Sequence, residues 1–330
     1  MMIRNRDESI ETLRAIAIIL VLGIHISADP PISVATNVYA YLSLAFQNIR
    51  MPLFTFISGY LYAQRRVKHN YLLKFFEGKA RRLLVPLIFV SLCEFASKSI
   101  LPGVNNPTDL QDIWKVVIYP YEHYWFVQVI LVIFLIVGLM DAVGAITSYR
   151  KWLALLLFSL FIYLIYPQLS FSISFFSIGR VTYLLPFFLL GYGLVIYPKI
   201  LCSKKIIASS IFIVCLGYII QNYLWFSEEM SPFAQRSVLG LLMSMTGPIL
   251  LFYYRRPVWG LSFIGSYAFT IYLYQGFALS LGRRLVEFIP YSGPHVYFLF
   301  VVGVGVMFGI AVTAIFSRVP VLRTLMLGIK

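Results

Sequence analysis

Charge is scarce in this chain. Asp, Glu, Lys and Arg make up 12% of its 330 residues, about half the share in a soluble domain. Acidic residues are the scarcer sign, 13 against 27 basic ones, and there are 4 histidines. The 3 cysteines, Cys93, Cys202 and Cys215, match neither a metal-ligand spacing nor a disulfide framework. Cys93 and Cys215 lie inside apolar stretches and are expected to be inert packing. There is no low-complexity stretch, no long linker and no transporter-like internal repeat. The first apolar segment lacks a convincing small-residue cleavage site, so it reads as a retained helix. These absences argue against a soluble domain, a zinc module and a disulfide scaffold. They leave a single domain over 1–330, with no separate soluble part and no metal.

What is abundant is apolar sequence. Hydrophobic residues are 60% of the chain, grouped in repeated blocks of roughly 17–22, the length that crosses a bilayer as a helix. The expected fold is therefore all-α and polytopic, with about ten transmembrane helices. The spans fall near 11–29, 43–63, 83–101, 124–142, 151–167, 181–198, 205–224, 236–254, 261–282 and 296–317. An even number of spans puts both termini on one side. If that side is the cytoplasm, about three quarters of the 27 Lys and Arg become cytoplasmic, which favours N-in, C-in by the positive-inside rule. A net charge of +14 would otherwise suggest nucleic acid, but the basic residues sit in short clusters between apolar blocks, where they orient helices and meet membrane lipids.

The first span carries the clearest chemical signal. Arg14 and His25 lie within roughly 20° of each other around an α-helix and about 16 Å apart along it. Ionisable groups in a membrane helix usually face a bundle interior or a wet cavity. Imidazole is the natural general base near neutral pH, and it can also accept an acyl group. Asp29, four residues on, is placed to orient the ring. The plainer alternative is a histidine bonded to a neighbouring helix, with Asp29 ending the span before Pro30 and Pro31.

Other motifs are weaker alone. The second span has Arg50 at its outer end and Ser58-Gly59 within it, a pairing that also suits plain small-residue packing. The basic run before the third span ends in Lys79, Arg81 and Arg82. Lys79 and Arg82, at i and i+3, share a helix face and suit a phosphorylated ligand, although topology determination explains much of this charge. Glu122, His123 and Trp125 open the fourth span, as an interfacial belt or as a sugar-stacking surface. Tyr272 and Gln275 share a face of the ninth, where a buried glutamine needs partners.

Together these motifs resemble the acyltransferase-3 family of integral membrane O-acyltransferases. The residues that carry the resemblance are Leu13-Arg14-Ala15-Ile16-Ala17 followed by His25, and Pro52 to Tyr60 with Ser58-Gly59. The basic entry to span three, Tyr124-Trp125-Phe126, Phe187 to Tyr192, and Ile271-Tyr272 continue it. The branch it is most similar to contains the enterobacterial common antigen O-acetyltransferase. The resemblance implies ten or more helices in a bacterial inner membrane and transfer of acyl groups other than amino-acyl groups. It further implies that acetyl-CoA enters from the cytoplasm as co-substrate, with no permanently bound cofactor, and that the acceptor is a sugar hydroxyl of a surface polysaccharide, lipopolysaccharide or lipid-linked glycan. Carried over residue by residue, Arg14 and His25 match the family's first-helix pair, with Asp29 beside them, and Lys79, Arg81 and Arg82 match the basic donor-binding segment. Arg50, Ser58, His123, Trp125, Tyr272 and Gln275 are expected on the acceptor side. The chain departs from the family pattern twice. Lys79 stands where arginine is common, losing the bidentate fork, and Gln275 stands where relatives often have histidine. Two other functions remain open at this point: a proton-coupled exporter, and a non-catalytic partner in a polysaccharide assembly complex.

Overall fold

A computed structural model describes residues 7–27, 37–100, 108–169, 173–227, 237–290 and 293–329. Among these the regular structure is helical, without a strand. In chain order the helices are α1 (Glu8–Ser27), α2 (Val38–Ala45), α3 (Gln47–Ala63), α4 (Leu72–Lys79), α5 (Val85–Ile100), α6 (Lys115–Ile118), α7 (Trp125–Ala142) and α8 (Tyr149–Ile165). They continue as α9 (Ile178–Ile196), α10 (Pro198–Leu201), α11 (Lys204–Phe226), α12 (Val238–Tyr253), α13 (Trp259–Gly265), α14 (Ala268–Val286), α15 (Pro294–Phe316) and α16 (Pro320–Leu327). The all-α, polytopic expectation holds. Among the described residues 7 helices are long and apolar enough to cross a membrane. The expected spans near 43–63, 236–254 and 261–282 are also helical, but α3 has 17 residues and α12 has 16. The ninth expected span is broken at Ser266 and Tyr267 into α13 and α14.

The chain divides into two compact units. The first comprises residues 1–65 and 186–309, the second 66–185 and 310–330. In the first, α1 is the central element, packed against α13, α3, α2 and α14. Its start follows from local chemistry. The Asp7 carboxylate accepts from the Ser9 backbone N–H at 3.0 Å, satisfying an amide that the helix cannot. Ile10, Leu13, Ala15, Ala17, Ile18, Leu22 and Ile26 are then almost wholly buried. The Val258 N–H donates to Thr12 Oγ1 at 3.0 Å. Gly265 comes so close that a β-carbon there would stand 1.8 Å from the Glu11 carbonyl oxygen.

Two sequence motifs prove to be one packing contact in this unit. A β-carbon on Gly59 of α3 would lie 2.0 Å from the Phe188 carbonyl oxygen, and one on Gly191 of α9 would lie 2.0 Å from that of Phe56. Each glycine admits the other helix's backbone, so the small-residue reading of Ser58-Gly59 accounts for the glycine. Ser58 spends its hydroxyl within α3, donating to the Phe54 carbonyl at 2.9 Å.

In the second unit two buried carboxylates, Asp141 and Glu94, are paired with cations. Asp141, 1% exposed at its side chain, receives the Arg66 guanidinium through Nε and Nη2. Before α5 the chain winds through a π-helical turn, Ala80–Leu84, and α16 packs along α5. Cys93 and Cys215 are exposed on their helices, so they are not the core packing that their apolar surroundings predicted.

Candidate functional site

In the first unit, α1 presents Arg14 and His25 in contrasting surroundings. Arg14 is half-buried, and its Nη1 donates to Glu11 Oε1 and Oε2 at 2.9 and 3.2 Å. Glu11 has 8% of its side chain exposed. The pair is local, at i and i+3, so the cation carries its counter-ion within its own helix. His25 is exposed, although Leu22 and Ile26 around it are fully buried. Arg283 Nη2 donates to the His25 carbonyl at 2.7 Å, tying α14 to this turn. On the other side of α1, the Ser27 and Ser43 hydroxyls lie 3.1 Å apart. Asp29 lies outside the described residues.

The remaining predicted residues of this unit sit on α3 and α14. Arg50 is half-buried in the first turn of α3. Tyr272 is 5% and Gln275 1% exposed. Among the described residues neither amide atom of Gln275 has a hydrogen-bond partner. An open cleft beside the start of α1 is lined by Asp7, Glu8, Tyr254, Arg255 and Arg256. In it Arg255 Nε donates to Ser9 Oγ at 3.0 Å.

The other predicted residues belong to the second unit. The Lys79 ammonium lies over the Phe134 ring, 3.2 Å from its centre, and 5.3 Å from that of Phe75. Arg81 is half-buried and Arg82 exposed. The π-helical turn begins just after Lys79, so the α-helical i, i+3 phase does not carry through to Arg82. The single face expected for Lys79 and Arg82 is therefore corrected: the lysine turns onto aromatic rings while Arg82 remains exposed. His123 is 7% exposed with its ring 4.1 Å from that of Tyr124. Trp125 opens α7 with the Arg180 guanidinium 4.6 Å from its ring centre, so a cation already covers one of its faces.

Sequence reading missed a polar cluster beside His123. Glu94 of α5, 4% exposed, accepts from Tyr124 Oη at 2.6 Å. The Lys98 ammonium bridges Glu94 at 3.2 Å and Glu122 at 2.6 Å. Glu122 adopts a left-handed backbone, φ 43°, which is uncommon for a residue other than glycine. Burial pushes the Tyr121 phenol above its usual range, and the Glu94 and Glu122 carboxylates push it further. The signal was available, because a lone carboxylate inside an apolar span is expensive unless partnered. Glu11, three residues before Arg14, and Arg283 were likewise visible but unused.

A family model described as an acyltransferase domain matches residues 7–314. Among curated proteins none matches the chain.

Proposed function

The chain belongs to the acyltransferase-3 family, whose domain covers nearly all of it, and on that premise we propose that this membrane acyltransferase moves an acetyl group from acetyl-CoA to a sugar hydroxyl of a surface polysaccharide, lipopolysaccharide or lipid-linked glycan. The observation that carries the chemistry is His25, an exposed imidazole between the buried Leu22 and Ile26 of α1. Imidazole accepts a proton near neutral pH without a metal or an unusual environment.

In the proposed reaction His25 takes the proton from the acceptor hydroxyl as its oxygen attacks the thioester carbonyl. The carbon–sulfur bond breaks, coenzyme A leaves as thiolate, and the proton on His25 passes to it or to water. Arg14, held by Glu11, is proposed to bind the donor on the same side of α1. In the second unit Arg81 and Arg82, with Lys79 turned onto aromatic rings beside them, are proposed to favour a phosphorylated ligand, a role their charge supports. The distribution of Lys and Arg supports N-in, C-in placement in a cytoplasmic membrane.

Purified protein in detergent should transfer acetyl from acetyl-CoA to an oligosaccharide acceptor, or slowly to water. His25→Ala should fold, bind acetyl-CoA and lose transfer by about a hundredfold or more, the usual contribution of a general base. Full transfer by His25→Ala would remove His25 from the chemistry. For the donor site, Lys79→Ala with Arg82→Ala should weaken acetyl-CoA binding, and unchanged affinity would place the phosphates elsewhere.

A further inference from the structure

A buried amide in the first unit has no job in the account above. Gln275 is 1% exposed, and both its Oε1 and its Nε2 lack hydrogen-bond partners among the described residues. Such groups are rare because each costs its desolvation free energy without return. Removing water from an amide inside a membrane leaves no alternative partner. A side chain kept at this cost points to a ligand that completes it.

Contacts along α14 define where the amide lies. A β-carbon on Gly309 of α15 would meet the Ile271 backbone at 2.8 Å, and one on Gly305 would meet Leu22 at 3.2 Å and Leu279 at 3.5 Å. Ile271, Gln275 and Leu279 follow at i, i+4 and i+8, so they share one face of α14. Gln275 is the middle residue of that face. It lies between the turn that packs on Gly309 and the turn that meets Gly305, which Leu22 of α1 also approaches. The amide therefore occupies the seam among α1, α14 and α15.

The direction of α14 sets its level along α1. Gly265, just before α14, meets Glu11, Leu279 is level with Leu22, and Arg283 reaches the His25 carbonyl. The two helices run parallel. One turn before Leu279, about 6 Å along the axis, Gln275 is level with Ile18. That is between Arg14 and His25, nearer Arg14. At that level Gln275 suits the donor better than the acceptor-side place expected for it from the sequence.

We propose that Gln275 recognises the amide-bearing arm of the acyl donor: it donates from Nε2 to one amide carbonyl of the pantetheine chain and accepts at Oε1 from an amide N–H. This rests on the reading of acetyl-CoA as donor. The pairing follows from chemistry. Pantetheine is thin and flexible and carries two secondary amides, which lose water when drawn into a helix bundle. Gln275 offers both a donor and an acceptor at one point, whereas a histidine in that position offers one of each only in its neutral form. Gln275 is on this account a positioning residue for the donor and takes no part in proton transfer.

The test separates the donor into its two halves. Pantetheine and adenosine 3′,5′-bisphosphate are each used as inhibitors of acetyl-CoA turnover by wild-type protein and by Gln275→Met, which keeps the side chain's size. Loss of one well-made hydrogen bond is worth about tenfold. The inhibition constant for pantetheine should therefore rise by about tenfold or more while that for the bisphosphate is unchanged. The KM for acetyl-CoA should rise with little change in kcat. The thermal midpoint of ligand-free Gln275→Met should be equal to or above wild type, because an unpaired amide has been removed. Gln275→Leu serves as a second apolar variant if methionine repacks the seam. Unchanged pantetheine inhibition, or an equal shift for both fragments, would overturn the proposal while leaving the acyl-CoA reading in place. A wild-type protein that neither turns over acetyl-CoA nor binds either fragment would overturn the acyl-CoA reading itself.

Discussion

Gly59→Ala tests whether the reciprocal glycine contact in the first unit is what sets the spacing of α3 and α9. The β-carbon would start 2.0 Å from the Phe188 carbonyl oxygen, whereas ordinary contact begins near 3.4 Å. The helices must separate by roughly 1.4 Å, or the backbone must bend by as much. Forcing a methyl into a packed interface costs about 1–3 kcal/mol, and the upper end applies here because the obstacle is backbone on both helices. In a membrane there is no hydrophobic term between helices to offset the lost packing. Gly191→Ala should cost about the same, because its own β-carbon would also lie 2.0 Å from a carbonyl, that of Phe56. The informative variant is the double one. Once one methyl has opened the interface, the second enters a gap already made, so the pair should cost about 3 kcal/mol and not about 6, a coupling well above that of independent sites. Denaturation by SDS in mixed micelles, followed by tryptophan fluorescence, measures all four proteins on one scale. Strictly additive losses, or two single variants as stable as wild type, would refute the reasoning.

Three further outcomes follow from the ion pairs and the phenol. Glu11→Gln removes the counter-ion of Arg14; because Arg14 is 32% exposed, the stability loss should stay within about 1 kcal/mol. The KM for acetyl-CoA should nevertheless rise severalfold, and an unchanged KM in steady-state kinetics would show that Glu11 does not position the guanidinium. Asp141→Asn removes the buried carboxylate charge that receives the Arg66 guanidinium; with Arg66 33% exposed, the cost should be about 1–3 kcal/mol, below that of a fully buried pair. Arg66→Met with Asp141→Leu should recover most of it, and a double variant no more stable than the single would sink that account. The Tyr121 phenol is held above its usual range by burial and by Glu94 and Glu122, so its proton is retained in the folded state after the unfolded state has lost its own. Its stabilising effect is full below about pH 10 and declines as pH rises further. Tyr121→Phe should flatten the alkaline loss of stability measured by SDS titration, and an unaltered slope would deny that the phenol is buried among carboxylates.

The helical class and the positions of the long helices were legible because apolar blocks of bilayer length have few other uses, whereas the short helices α4, α6 and α16 fell outside the expected spans. The ninth span was misread as one helix: Ser266 and Tyr267 break it after Gly265 brings the backbone of α13 onto α1, and hydropathy does not register such a break. The basic face of Lys79 and Arg82 failed for a similar reason. Spacing arguments assume one helical period, and the π-helical turn from Ala80 changes it. Arg14 and His25 were legible because a charge in an apolar block is conspicuous. Glu94 was as conspicuous, yet it draws its meaning from Tyr124 and Lys98, and the tyrosine lies 30 residues away in sequence. The Gly59 and Gly191 motifs were both noticed, but their being one contact required the packing.

Arg14 and His25 of α1 are held in different ways, and the difference fits the proposed division of labour along one helix. Arg14 is neutralised by Glu11 through a single guanidinium nitrogen, while a guanidinium carries five N–H donors in a rigid fork. It can therefore stay charged inside a membrane protein and still bind an oxygen-rich ligand. A residue held this way binds and orients; its permanent charge makes it useless for moving protons. His25 is exposed where its neighbours on α1 are buried, and α14 approaches it through the main chain, Arg283 gripping its carbonyl. An anchor on the backbone fixes the turn while leaving the ring's two nitrogens to their own partners, which suits the proton transfer proposed for it. Gln275, neutral and level with the stretch between them, suits the uncharged part of a ligand whose anionic end and reactive end lie on either side. The order charge, amide, imidazole along α1 matches the order phosphate, pantetheine, thioester in the proposed donor. It predicts that variants of Arg14, Gln275 and His25 should shift progressively from effects on KM to effects on kcat.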